Sequence, residues 1–151
     1  MDNIDANILK CLRENSRITV SEMAGKINLS IPAVSERLKK LDASGIIEKY
    51  TIILNAKKLG CQLTVFMFVS LENPRYFDKF KDLIQHEHEI IECYYLAGDF
   101  DYALKIITEN TDTLQNILSK IKLISGIRKT KTVVTLSNIK NLYSVTLEDD
   151  Y

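Results

Sequence analysis

Hydrophobic residues recur at helical spacing in three short segments of the first sixty positions. The segments begin after Asp2, Thr19 and Ser30, which are residue types that cap helices, and Glu22 completes a capping box with Thr19. Gly45 supplies a left-handed stop after the third segment. The buried stripes are predicted to consist of Ile4, Ile8, Leu9 and Leu12, then Val20, Met23, Ala24 and Ile27, then Ile31, Val34, Leu38 and Leu41.

Two short helices joined by a tight turn, with a third packed behind them, are typical of a helix-turn-helix DNA-binding unit. The third helix would face DNA, because cations on its outer face can reach phosphates and small residues in its first turns fit a major groove. An ordinary three-helix bundle with a solvated charged face is the alternative. The residues predicted to contact DNA are Ser30, Pro32, Ala33, Ser35, Glu36, Arg37, Lys39 and Lys40.

Beyond Gly45 the spacing of hydrophobic residues changes repeatedly between the patterns of a strand and of a helix. Residues 46–54 alternate and predict a strand, and the polar stretch 55–60 predicts a boundary between two domains, 1–60 and 61–151. Further strands are predicted over 63–71, 90–97, 102–108 and 129–137, with helices around 76–84 and 114–121. This order predicts an α+β protein: an N-terminal helix-turn-helix (winged-helix-like) domain plus a C-terminal ferredoxin-like βαββαβ domain.

A ferredoxin-like sheet carries both of its helices on one face, so its other face is left bare. Apolar residues on that face need a partner, and a second copy of the same sheet is the simplest one. The sequence therefore predicts a homodimer.

Composition and charge narrow the class of protein. Residues 1–60 hold ten Lys and Arg against seven Asp and Glu, whereas residues 61–151 hold ten against thirteen, which indicates that the first part alone meets a polyanion. The longest apolar runs are far shorter than the ~20 residues of a membrane span. No membrane partner is expected, and a cytoplasmic location is predicted. Cys11, Cys61 and Cys93 are predicted to be buried free thiols.

The stretch "AGDFDY", residues 97–102, places two carboxylates one residue apart beside a glycine. It falls between two predicted strands, where Gly and Asp are ordinary turn formers. An acid/base pair is disfavoured because no Ser, Cys or His nucleophile is tied to the carboxylates by spacing. His86 and His88 lack a third metal ligand at any motif spacing. The sequence therefore predicts no catalytic residues, no metal and no cofactor.

The chain resembles the Lrp/AsnC family, the feast/famine transcription regulators of bacteria and archaea. The segments that carry the resemblance are "NIDANILKCLREN", "LSIPAVSERLKKLDASGII", "YTIILNAKKLG", "AGDFDY" and "GIRKTKTVVTLS", in the family's order and spacing. Ile31 is a departure, because many members have a proline or a small residue there.

The resemblance implies a DNA-binding regulator, not an enzyme, associated with the nucleoid. Its recognition helix would span Ser30 to Ser44. Its second domain would form dimers that assemble to octamers or larger discs, with a small amino acid bound between subunits. The implied effector-binding residues are Gly98, Asp99, Asp101, Thr132, Val134 and Thr135.

Two alternatives of similar architecture stay open at this point. Sirohaem decarboxylases hold a tetrapyrrole between His and Arg residues, and here His86 and His88 are the histidines available. A structural nucleoid-bridging protein would need no effector. The intact "GDFD" turn and the basic first domain favour regulation.

Overall fold

The computed structural model describes residues 1–147, so the acidic end of the tail and of the predicted second domain, residues 148–151, lies outside the described residues. Internal contacts divide the chain into two units. One consists of Met1–Ile53 together with the described residues from Lys140 onwards, and the other is Leu54–Ile139. Within residues 1–147, no helix has the length and apolar character needed to cross a membrane.

Three helices form the first unit: α1 (Asn3–Glu14), α2 (Val20–Ile27) and α3 (Ile31–Ser44). Their N-caps are Asp2, Thr19 and Ser30, as predicted, and the first two complete capping boxes. These caps satisfy backbone N–H groups that a helix start leaves without partners. The buried core consists of Ile8, Cys11, Met23, Ala24, Val34 and Leu41.

Two residues with positive φ delimit α3 and its turn. Asn28 adopts the left-handed conformation with φ 55° and ends α2, so the chain turns sharply before Ser30. Gly45, with φ 75°, ends α3 in the same conformation, which glycine adopts without a side-chain penalty. The helix-turn-helix predicted from the sequence is therefore formed, with α3 as its second helix.

The strand predicted over residues 46–54 is wrong. No strand forms there, and Ile46, Ile52, Ile53 and Leu54 are exposed. Alternation predicts which side chains could share a sheet face, but a strand also needs a neighbour for its N–H and C=O groups. No segment of the described chain supplies that neighbour for this stretch.

The second unit contains a four-stranded antiparallel sheet and two helices. After a short 3₁₀ helix (Ala56–Leu59) the elements are β1 (Leu63–Leu71), a 3₁₀ turn (Pro74–Tyr76), α4 (Phe77–His86), β2 (Ile90–Tyr95), β3 (Tyr102–Thr108), α5 (Thr111–Lys122) and β4 (Ile127–Val134). The strand order is β2-β3-β1-β4, which is the predicted ferredoxin-like topology. The last strand begins earlier than predicted, because Gly126 turns the chain directly into it, and it ends at Val134 and not at residue 137.

Both helices cover the same face of the sheet. Alternate residues of β1 and β3 are buried there together with side chains of α4 and α5, and the core consists of Val65, Met67, Val69, Leu71, Phe80, Tyr102, Leu104, Ile106, Leu114, Ile117 and Ile121. The intervening residues of the strands form the open face. Phe66 and Val133 lie opposite each other on this face and are 37% and 41% exposed.

The prediction of three buried thiols is only partly right. Cys11 is buried and Cys61 partly buried, but Cys93 is exposed. Cys93 lies on β2, an edge strand of the sheet, and the sequence pattern does not distinguish an edge strand from a central one.

Candidate DNA-binding surface and effector site

The side chains predicted to meet DNA lie on α3 and its cap. Ser30 caps the helix by accepting a hydrogen bond from the Ala33 N–H at 3.4 Å. The N-terminal half presents the small side chains of Ala33 and Ser35, which are partly exposed, beside the exposed Pro32. Ile31, which was predicted to be buried, is 51% exposed in the first turn. Away from Ile31 this surface is narrow enough to approach base edges in a major groove.

Two exposed lysines follow in the C-terminal half of α3. Lys39 makes no ion pair within residues 1–147 and is available to a phosphate. Lys40 pairs with Glu36 one helical turn earlier, at 2.7 Å between Nζ and Oε1. The ammonium of Lys40 lowers the pKa of the Glu36 carboxyl below its usual value. Because both side chains are solvated, this pair is weak and phosphate can compete for Lys40.

Arg37 differs from the lysines because its guanidinium is already occupied. Its Nη1 atom donates to Asp2 Oδ2 and to Asp5 Oδ1, both at 2.7 Å, and 31% of its side chain is exposed. The hydrogen bonds to Asp5 and Asp2 raise the pKa of Arg37. Sequence reasoning placed Arg37 among the phosphate contacts. It missed these partners because they lie more than thirty positions away in the chain.

A shallow groove of about 500 Å³ lies beside this ion-pair cluster. Its lining includes Asp5, Ala33, Arg37, Leu41, Ser44 and Ile46. Because Ile8 of α1 and Leu41 of α3 are buried in one core, the ion pairs add to an apolar contact between the two helices.

The "AGDFDY" stretch forms the turn between β2 and β3, as predicted, and Asp101 attaches it to β1. The Leu71 N–H donates to Asp101 Oδ2 at 2.8 Å, and the Asp101 N–H donates to the Val69 carbonyl at 3.0 Å. The Leu96 N–H closes the turn by donating to the Asp101 carbonyl at 2.8 Å. Asp101 is therefore held by the fold on three sides.

Asp99 has a different environment in the same turn. Its side chain is exposed, and its carboxylate contacts no other group in the described chain. The backbone N–H groups of residues 97–100 likewise have no acceptor within residues 1–147. The turn thus carries one carboxylate without a hydrogen bond or ion pair and four N–H groups without an acceptor. The carboxylate complements an ammonium, and the N–H groups complement a carboxylate.

Gly98 does not need glycine for its backbone conformation. Its φ lies outside the left-handed region, and a Cβ built on it would meet no atom within 4 Å. The prediction that Gly98 binds the effector therefore does not depend on a backbone conformation that only glycine adopts. Gly98 can still serve an effector site through the space that the absence of a side chain leaves above the turn.

The three candidates on the last strand do not converge on the turn within one chain. Thr132 and Val134 pair with Met67 and Val65, so they lie on the helix-covered side of the sheet, although both are exposed at its edge. Thr135 lies beside Thr64, whose carbonyl accepts from both its N–H and its hydroxyl at 2.9 Å.

The turn and Thr135 meet β1 at opposite ends. The turn contacts β1 at Val69 and Leu71, whereas Thr135 contacts Thr64. The five residue steps of strand from Thr64 to Val69 span about 17 Å. A single small amino acid cannot touch both ends within one subunit.

Sequence reasoning missed the residues that support the turn. Ser70 is fully buried and donates to the Asp99 carbonyl at 3.4 Å. Phe100 packs on Phe68 with ring centroids 5.7 Å apart, and the Lys129 ammonium lies 4.9 Å from the Phe100 ring. Ser70 could have been recognised from the sequence, because a polar residue in a buried strand must find a hydrogen-bond partner.

His86 and His88 are the two histidines of the chain. Within residues 1–147, no group of three or more His, Cys, Asp and Glu side chains is placed to hold an ion. His86 lies at the end of α4, with Nδ1 2.6 Å from the Asp82 carbonyl.

Two family models match the chain, one on each unit. Residues 1–48 match the winged helix-turn-helix DNA-binding domain, and residues 64–145 match the Lrp/AsnC ligand binding domain. The leucine-responsive regulatory protein of Escherichia coli is 34% identical over an alignment of 143 positions that covers 93% of this chain and 87% of that protein. The HTH-type transcriptional regulator FL11 of Pyrococcus abyssi is 33% identical over 93% of this chain and 92% of its own.

Solved structures agree with the sequence matches. A transcriptional regulator from Neisseria meningitidis in complex with L-methionine superposes with a TM-score of 0.91 and 26% identity, covering 97% of this chain and 96% of that chain. Neither the family models nor these relatives support a tetrapyrrole enzyme or an effector-independent bridging protein. With its helix-turn-helix and its ligand binding domain in this order, the chain belongs to the Lrp/AsnC family of DNA-binding transcription regulators.

Proposed function

We propose that this regulator binds a free amino acid at the 97–101 turn and that the bound amino acid changes its occupancy of DNA. The observation that carries the proposal is that one turn contains both the Asp99 carboxylate and four backbone N–H groups, none of which has a hydrogen-bond partner in the described chain. An α-amino acid carries an ammonium and a carboxylate on one carbon. It therefore matches both halves of this site.

The two aspartates of the turn have separate roles. Asp99 receives the ammonium of the amino acid, while Asp101 holds the turn against β1 through the Leu71 N–H. The missing side chain of Gly98 leaves room for the ligand over the exposed N–H groups. The turn thus recognises the part that all amino acids share, and neighbouring residues select the side chain.

The site is completed by a second subunit. Thr132, Val134 and Thr135 belong to the effector site in this proposal, but within one chain the turn and Thr135 contact opposite ends of β1. The last strand of a partner subunit supplies the hydroxyl groups that the turn lacks. A ligand held between subunits shifts assembly, and a shift in assembly alters DNA occupancy.

The open face of the sheet supports a homodimer. It presents Phe66, Val133 and Tyr94 to solvent, together with an ion pair between Lys105 and Glu92 at 2.8 Å. An exposed apolar face of this kind is expected to be covered by a second copy. Dimers would then assemble further to octamers or larger.

The DNA-binding surface is the outer face of α3 with its cap. Its N-terminal half enters the major groove, while Lys39 and Lys40 contact phosphates. Glu36 can accept a hydrogen bond from a cytosine amino group. In this proposal the predicted division at residues 60 and 61 separates DNA binding from effector binding and assembly. The protein acts by binding and not by catalysis, on nucleoid DNA in the cytoplasm.

A thermal-shift screen against the twenty amino acids tests the proposal. The screen is run with and without a DNA duplex that the protein has enriched from a randomised pool. We expect at least one amino acid to raise the melting temperature and to change affinity for the duplex. If none changes either quantity at millimolar concentration, the proposed effector role is rejected.

A further inference from the structure

We infer that the ion pairs of Arg37 with Asp2 and Asp5 form a clamp that sets the orientation of α3 for DNA reading. Arg37 is thereby a positioning residue, which acts through α1 and not through a phosphate. The inference rests on the proposed role of α3 at DNA, and it concerns how that helix is held.

The two carboxylates are fixed before they meet the guanidinium. Asp2 Oδ1 accepts from the Asp5 N–H at 2.9 Å, and Asp5 Oδ2 accepts from the Asp2 N–H at 3.3 Å, which closes the capping box of α1. The remaining oxygen of each carboxylate faces Nη1 of Arg37. A capping box holds its side chains in one geometry, so little rotamer freedom is lost when Arg37 binds.

Arg37 lies at the edge of the apolar contact between α1 and α3. Ile8 of α1 is buried in one core with Val34 and Leu41 of α3. The shallow groove of about 500 Å³ is lined by residues that include Asp5 and Arg37. Apolar contact is non-directional, whereas the two ion pairs bind one side chain of α3 to the first turn of α1, so we expect them to set the orientation of the two helices.

The clamp and a phosphate contact predict opposite results for one substitution. Removing a carboxylate from a DNA-binding unit reduces repulsion, so electrostatics alone predicts tighter binding. Loosening the clamp instead predicts weaker binding to the preferred sequence, because base contacts need a fixed helix orientation. Asp2→Asn separates the two effects, because asparagine caps a helix as well as aspartate does.

The experiment compares full-length wild type, Asp2→Asn, Arg37→Gln and the control Glu48→Gln. Glu48 is exposed and makes no contact in the described chain, so its substitution removes one negative charge only. Affinity is measured by fluorescence anisotropy over a range of salt concentrations. The probes are a duplex that the wild type enriches from a randomised pool and a scrambled duplex of equal length.

We expect Asp2→Asn to bind the enriched duplex about threefold more weakly than wild type does. We also expect unchanged or tighter binding of the scrambled duplex. Arg37→Gln should show the same selective loss with an unchanged salt slope, and the double variant should lose less than the product of the two factors. Glu48→Gln should bind both duplexes at least as tightly as wild type.

If Asp2→Asn binds the enriched duplex as tightly as wild type or more tightly, the clamp is rejected. That conclusion stands even if Arg37→Gln folds poorly, because Asp2→Asn retains the helix cap. A wild-type protein that enriches no duplex would reject both the inference and the proposed DNA surface.

Discussion

The Leu71 N–H donates a hydrogen bond to Asp101 Oδ2 at 2.8 Å, whereas Asp99, two residues earlier, contacts nothing with its carboxylate in the described chain. The two acids of the turn are therefore not equivalent. One holds the turn to β1 and the other faces solvent. A substitution at Asp101 is expected to act on the fold, and a substitution at Asp99 on the ligand.

Asp101→Ala should destabilise the second unit. It leaves the Leu71 N–H without its acceptor, and losing a hydrogen bond to a charged group costs about 1.5–3 kcal/mol. Asp101→Asn keeps an oxygen acceptor and should lose less than half of that. Urea denaturation measures both, with Asp99→Asn as the matched control that should leave the free energy of unfolding unchanged. Equal losses for Asp99→Asn and Asp101→Ala would contradict the assignment.

Lys39 and Lys40 should contribute to DNA binding through charge alone. Lys39→Ala and Lys40→Ala should weaken all duplexes alike, each reducing the salt slope by roughly one unit. Glu36→Gln releases Lys40 from its ion pair and should tighten binding to scrambled duplexes. Anisotropy titrations between low and moderate salt check these changes. Slopes that stay at the wild-type value would place the phosphate contacts on another surface.

The open sheet face should mediate dimerisation of the full-length chain. Phe66→Glu introduces a charge at its centre, opposite Val133, and should convert dimers to monomers at micromolar concentration in light scattering. Leu123→Glu is the control, because Leu123 is an exposed apolar residue that ends α5 and does not belong to a strand of the sheet. Dimers of unchanged mass in Phe66→Glu would show that another surface is used.

Glu92 should make the stability of the second unit depend on pH. Its hydrogen bond from Lys105 lowers the pKa of the carboxyl below its ordinary value. The folded state therefore binds fewer protons there than the unfolded state does. The stabilisation is present above the ordinary carboxyl pKa and is lost as the pH falls through the lowered value.

Unfolding measured over the acidic range checks this dependence. Glu92→Gln should flatten the fall in stability, whereas Glu109→Gln, which changes an exposed carboxylate without an ion pair in the described chain, should not. The same acid loss in wild type and Glu92→Gln would assign it to other carboxylates.

Local signals in the sequence predicted most of the fold. Caps such as Thr19 and Ser30 and the stop at Gly45 depend on neighbouring residues alone, and the structure has them where the pattern placed them. Residues 46–54 failed as a strand because pairing needs a distant partner that alternation does not report. Helix caps and helix ends depend on residues that are adjacent in the sequence, whereas strand pairing depends on the tertiary structure.

The roles of residues in the candidate sites also depend on contacts between residues that are distant in the sequence. The sequence predicted that Asp99 and Asp101 lie in a turn, but only the distant Leu71 distinguishes their roles. Likewise, a cation on the outer face of α3 predicted a phosphate contact, and only the start of α1 shows that Arg37 is occupied. Long-range hydrogen bonds therefore decide which polar side chains remain available for ligands.

Calorimetry with the amino acid found by the thermal-shift screen measures whether the 97–101 turn binds the effector. We expect Asp99→Asn and Gly98→Ala each to weaken binding of the amino acid by roughly tenfold or more, because one removes the charge for the ammonium and the other fills the space over the N–H groups. Both variants should fold and bind DNA as wild type does, since neither position makes a side-chain contact in the described chain. Wild-type affinity for the amino acid in both variants would show that the turn does not bind the effector.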